Sequence, residues 1–164
     1  MSTTTNGGQT PAPGQPLQAQ LNVIGQYIKD FSFENPNAPR PMIEPTQQPS
    51  ISVQINVNPR QLSPTDFEVE LKIEGKAESA GMTMFALDLA YGGLFRLQNI
   101  PQEQIAAVVM IECPRILFPF AREIIANATM HGGFPPLLLD PVDFAALYQQ
   151  RMAAQMQPNP TAQA

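Results

Sequence analysis

Two side chains in this sequence have the chemistry of a nucleophile and a base, Cys113 and His131, and the chain holds no other cysteine or histidine. A thiol becomes a nucleophile when a neighbouring base or cation lowers its pKa, and a third group orients that base. Here eighteen positions separate the pair, Glu112 and Pro114 flank the cysteine, and Arg115 is the one cation beside it. No third orienting group is evident. Cys113 therefore reads as a small core residue. His131, next to Gly132, reads as a residue placed at the negative end of a helix dipole. One cysteine and one histidine cannot supply the four ligands of a tetrahedral zinc site. The sequence also lacks a glycine-rich phosphate loop, a serine nucleophile elbow and carboxylates paired along a helix. The expectation is a protein that is not an enzyme and needs no cofactor or metal.

The same two residues bracket the stretch that organises the chain, Cys113 to Gly133. Ala121, Ile124, Ile125 and Ala128 recur there at helical spacing, with Arg122, Glu123 and Asn127 on the other side. Gly132-Gly133 is a helix stop. A helix this apolar needs a large apolar surface to pack on, and the preceding residues supply it as a sheet.

From Leu17 to Glu34 the apolar residues Leu21, Val23, Tyr27, Phe31 and Phe33 stand at odd positions, and Gln26, Asp30, Ser32 and Glu34 at even ones. That period of two predicts a half-buried strand, blurred by Ile24, Gly25 and Ile28, with Gly25 marking a bend or bulge. Asn35 to Pro49 carries five prolines and reads as an ordered, extended crossover. Ile51, Val53, Ile55 and Val57 alternate with polar residues as a second strand, and Phe67, Val69, Leu71 and Ile73 as a third. A break is expected over Glu74–Gly81. Met82–Leu97 is a fourth strand, apolar on both faces, with Gly92-Gly93 as a bulge or kink. Pro101 opens a helix through the apolar Ile105–Ile111 run. The last helix is expected to start with Asp140 as N-cap and Pro141 behind it, carrying Phe144, Leu147, Tyr148 and Met152 on one face. Four antiparallel strands followed by two or more C-terminal helices make an α+β fold. Residues 17–152 form its one domain, between disordered tails over 1–16 and 153–164.

The formal charge of −5 and pI near 4.7 argue against nucleic acid as a partner. A single cysteine points to a reducing compartment. The N-terminal residues do not look like a signal peptide, and no run of roughly 18 apolar residues marks a membrane span. A soluble, cytoplasmic protein is expected.

Three stretches carry a resemblance: YIKDFSFENPNAP (27–39), the Tyr91-Gly92-Gly93-Leu94-Phe95 segment, and CPRILFPFAREIIANATMHGGFPPLLLDPVDFAALY (113–148). Together they closely resemble SecB, the bacterial protein-export chaperone family, and the likeness runs over about residues 17–152. The resemblance implies a cytoplasmic homotetramer, a dimer of dimers, whose helices pack between dimers. It implies that unfolded secretory precursors are held in apolar grooves without ATP and passed to the SecA motor of the Sec translocon. The competing reading is a generic oligomeric protein-interaction domain without client holding.

Two surfaces follow from the family residue by residue. SecA docks on acidic residues of the sheet, which here match Asp30, Glu34 and Asp88; many members have glutamate in place of Asp88, and Ala86 stands where a leucine often contributes. The basic element that meets them is expected in the zinc-bearing C-terminal tail of SecA. The client groove lies between the crossover, the helices and the sheet, with Phe85, Tyr91, Phe95, Phe118, Phe120 and Phe134 as candidate walls. The crossover carries a tryptophan in some members; Met42 and Ile43 take its place here.

Overall fold

In the computed structural model, which describes residues 13–14, 16–44 and 47–157, the sheet runs β1 (Gln20–Glu34), β2 (Ser50–Gln61), β3 (Asp66–Ser79) and β4 (Met82–Gln98). All pairings are antiparallel, in the order β1-β4-β3-β2, so β1 and β2 are the edges. A short helix α1 (Arg40–Ile43) interrupts the β1–β2 crossover, and α2 (Gln102–Ala107), α3 (Cys113–His131) and α4 (Phe144–Met156) follow the sheet. This is the α+β architecture that the alternation pattern predicts. Most of the expected N-terminal tail, Pro45 and Thr46 of the crossover, and 158–164 lie outside the described residues.

One face of the sheet is apolar because β3 and β4 keep strict alternation. Val69, Leu71, Ile73, Leu89 and Phe95 are fully enclosed between the sheet and Cys113, Leu117, Ala121 and Ile125 of α3. Phe144 of α4 closes the core, edge-on to Phe118 with ring centroids 6.0 Å apart.

Several expectations are corrected. β1 carries not only the bulge expected at Gly25, which lies between Val23 and Gly25, but also a second one between Ile28 and Asp30. Each inserts one residue and flips the alternation, so Ile28 joins the helix-facing side and Tyr27 turns outward. Two flips cancel, and Asp30, Ser32 and Glu34 end on the outer face as their parity predicted. Gly92 and Gly93 do not bulge; both sit in unbroken register with β3. They thin the sheet instead. A Cβ on Gly92 would stand 2.6 Å from the Tyr27 ring outside, and one on Gly93 would stand 2.8 Å from Leu117 Cδ2 inside.

The expected break at Glu74–Gly81 shrinks to a tight turn at Ala80-Gly81, both at positive φ. Gly75 stays in the strand because Leu87 packs over it from β4. The last helix starts later than expected. Asp143, not Asp140, is its N-cap and accepts from the Ala146 N–H at 3.0 Å, and Pro141 and Val142 lie before the helix. That helix continues to Met156, past the expected domain limit at 152.

The helices expected separately from Pro101 and from Cys113 are continuous over Gln102–His131, joined by a π-helical turn at Val108–Glu112. A proline ring clashes with the carbonyl four residues earlier, and the wider π turn lies where Pro114 would meet Met110. At 30 residues this helix is, by length and composition alone, long and apolar enough to cross a membrane. Its Leu117, Phe118, Ala121 and Ile125 face is buried on the sheet, as in a core helix.

Candidate functional site

The Phe-Glu-Asn-Pro-Asn-Ala-Pro segment after β1 is a clamp. Asn35 Nδ2 donates to the Gly132 carbonyl at the end of α3, and Asn37 Nδ2 donates to the Thr83 carbonyl at the start of β4, both at 2.8 Å. These two bonds fix α1 over the end of the sheet. On the other side Thr129 Oγ1 accepts from Leu137 N–H at 2.9 Å and holds the strap after α3 in place. Between them lies an apolar hollow of about 340 Å³ whose walls include Met42, Ile51, Met84, Phe85, Phe134 and Leu137. Phe85 is one of these walls, stacked on Phe33 at 5.8 Å and tilted against Phe134 at 5.2 Å. Met42 leaves 48% of its surface open at the rim, with its methyl against Gly133, where a Cβ would stand only 2.6 Å away. An unbranched thioether there adapts to differently shaped apolar guests.

The outer face of the sheet carries a row of charges along β3 with further ones on β1 and β4, and these divide into two groups. In one, Glu68 accepts from the Tyr27 hydroxyl and from Lys29 at 2.8 Å, with Arg60 at 3.3 Å, while Arg96 grips Asp66 through two bonds of 2.8 and 2.9 Å. The hydrogen bond from Lys29 holds the Glu68 carboxyl below its ordinary range. Partial burial, then the bond to Glu68, pushes the Tyr27 phenol up to about 12. In the other group Asp88 pairs across with Ser32 on β1 and Glu74 on β3. Asp30 and Glu34 flank Ser32, which puts each about 7–8 Å from Asp88 on the diagonal. Among the described residues neither Asp30 nor Glu34 has an ion-pair partner, and Asp88 has only Lys72 at 3.9 Å. Ala86 lies between Glu34 and Lys76, where its small side chain leaves a hollow beside Glu74 and Asp88.

A family model described as preprotein translocase subunit SecB matches residues 14–155. The chain belongs to the SecB family. The protein-export protein SecB of Azorhizobium caulinodans is 62% identical over 149 residues, covering 91% of this chain and 93% of the relative. That of Bradyrhizobium diazoefficiens is 59% identical over 152 residues, covering 93% and 94%. In fold, the chain is similar to a SecB-like chaperone of Mycobacterium tuberculosis solved in complex with a ChAD peptide from an antitoxin. The TM-score is 0.62 at 16% identity, over 74% of this chain and 90% of that one.

The SecB-type acidic trio named from the sequence is brought together on one face. The groove candidates are not. Phe85, Phe134 and Met42 line the hollow, and Ile43 beside Met42 points to solvent with 75% of its surface exposed. Phe95 is fully enclosed, and Phe118 is buried against Phe144 with the Arg122 guanidinium 5.9 Å over its ring; neither lines this hollow. Tyr91 lies six residues along β4 from Phe85, about 20 Å away, and stacks at 6.4 Å on the exposed Phe120 near the β1 edge. Sequence reasoning missed Ile51, Met84 and Leu137 as walls. The spacing of the two asparagines around Pro36 was the available signal for the clamp that gathers them.

Cys113 and His131 are the first and last residues of α3, about 27 Å apart at 1.5 Å per residue. Cys113 is buried, and burial, reinforced by Glu112, pushes its thiol up to about 12, which rules out a thiolate at neutral pH. Among the described residues no group of three or more metal-ligating side chains converges.

Proposed function

We propose that this SecB-family chain is an ATP-independent, non-enzymatic export chaperone of the cytoplasm. It holds unfolded secretory precursors and passes them to SecA. The apolar hollow under α1 carries this reading. It is open, lined by methionine and aromatic side chains, and offers few polar groups that would demand a particular sequence. Such a surface gains affinity chiefly by burying apolar area, about 25 cal/mol per Å², whichever client supplies it. The acidic trio Asp30, Glu34 and Asp88 is the docking surface for a basic segment of SecA, here in its zinc-bearing tail. It shares no residue with the hollow.

The working assembly is a homotetramer, a dimer of dimers. Val23, Ile24 and Ile28 on the β1 edge are exposed, as is Phe120 of α3, and Ile116 and Ile124 of that helix are only half-buried within one subunit. That much apolar surface needs a partner copy. Aggregation of an unfolded precursor should be suppressed by the purified protein without nucleotide. Tight binding of folded proteins with no effect on their unfolded forms would overturn this reading. It would leave the generic oligomeric interaction domain.

A further inference from the structure

The free edge of β2 has a definite pattern of open and closed backbone groups. Leu62 N–H donates to the Asp66 carbonyl at 2.9 Å, and the β2–β3 register runs unshifted from Ser50↔Glu78 to Gln61↔Phe67. Hydrogen-bonded pairs alternate in an antiparallel ladder, so even-numbered residues bond to β3 and odd-numbered ones turn their N–H and C=O to the open edge. Those are Ile51, Val53, Ile55, Val57, Pro59 and Gln61. Pro59 has no N–H to offer. At Val57 the carbonyl is already taken: Arg151 Nη1, from α4, donates to it at 2.8 Å. Arg151 also walls a hollow of about 320 Å³ with Met110, Leu147 and Tyr148 against this end of β2. At the other end, Ile51 lines the apolar hollow under α1, and the Ile51 and Val53 side chains are exposed.

We propose that Arg151 is a removable plug on the β2 edge that sets how far an extended client segment can pair with that strand. The inference rests on the reading of the hollow under α1 as the client site. A segment anchored there continues along β2 as an added strand, bonding to the main chain of Ile51, Val53 and Ile55, and stops at the occupied carbonyl of Val57. At about 3.3 Å per residue the free run takes about five client residues. Such pairing is blind to client sequence, because it uses main-chain groups every polypeptide has. The plug yields without opening the core, since Arg151 is an exposed side chain near the end of α4 and one donor to Val57 replaces another.

Residue-resolved amide hydrogen exchange on the full-length protein tests this, with a reduced, carboxymethylated polypeptide as a permanently unfolded probe. In the wild type, probe binding protects the amides of Ile51, Val53 and Ile55 and leaves Val57 unchanged. Arg151→Met extends the protection to Val57 and slows probe release about fivefold, the worth of about one hydrogen bond. Arg151→Lys, which keeps a donor, behaves as the wild type. Identical footprints in the wild type and Arg151→Met overturn the plug, as does protection confined to the hollow, and both leave the client site standing. Loss of native β2 protection in free Arg151→Met also overturns it, because the guanidinium would then be a support of the edge. Failure of the wild type to bind the probe at all removes the client reading itself.

Discussion

The two faces of the sheet are built from the same strands by the same alternation, yet they do opposite things with their side chains. On the outer face one group of charges is spent on itself, in the Tyr27–Lys29–Arg60–Glu68 and Asp66–Arg96 contacts. Around Asp88, which is held only by Lys72 at 3.9 Å, Asp30 and Glu34 have no ion-pair partner among the described residues. On the inner face most apolar side chains are enclosed under α3, and the end under α1 stays open as an apolar hollow. Each face is thus divided into a finished part and an unfinished part. The unfinished parts are where a partner has something to gain: counter-charge outside, apolar area inside. Their separation lets docking and holding be changed one at a time.

The largest effect is expected where the inner face reaches beyond one subunit. Ile116→Asp or Ile124→Asp puts an unpaired charge into the proposed seam between dimers, at a cost of several kcal/mol. Sedimentation should show dimers or monomers in place of tetramers. Unchanged tetramers would place the seam elsewhere. Next comes the rim of the hollow. Met42→Ala removes an adaptable wall from a half-open position and should lower affinity for an unfolded client about fivefold, or about 1 kcal/mol. Assembly and the outer-face acidic patch should be untouched. Calorimetry on the same pair should show a less negative heat-capacity change in the variant.

The smallest effect lies in the finished part of the outer face. The folded-state pKa of Tyr27, about 12, is above its ordinary value of 10.0. Its contribution to stability is therefore fully present below about pH 10 and is lost as pH rises through about 12. Urea unfolding midpoints of the wild type and Tyr27→Phe should differ at about pH 9 and converge toward about pH 12. A constant gap across that range would show that the phenol proton is not held by the fold.

The sequence showed the outer face better than the inner one, for a physical reason. Alternation assigns each strand residue a face without knowledge of what covers it, so Asp30, Glu34 and Asp88 could be grouped from parity and the family motif. Tyr27 and Ile28 could not, because Gly25 marked a bend or bulge without its register, and the pairing with Gly92 and Tyr91 is what reveals which face each takes. An inner-face aromatic is wall or core according to which helix residue lands on it. Phe95 is enclosed because α3 crosses it, and Phe118, itself on α3, is packed against Phe144 of α4; Phe85 is buried as well but borders the hollow, because α3 has ended at Gly132. Helix ends also misled. Asp140-Pro141 has the local form of an N-cap, but Pro141 and Val142 lie before α4 and Asp143 caps it.

The claim that docking and holding are separate is tested most directly by one variant measured in two assays. Asp30→Lys, Glu34→Lys and Asp88→Lys together reverse the charge of the acidic patch on the outer face. SecA binding should collapse, and the wild-type interaction should weaken as salt shortens the Debye length below about 8 Å. Suppression of precursor aggregation by the same variant should equal that of the wild type, since outward strand positions tolerate substitution within about 0.5 kcal/mol. A triple variant that still binds SecA normally, or that loses client holding along with SecA, would contradict the account.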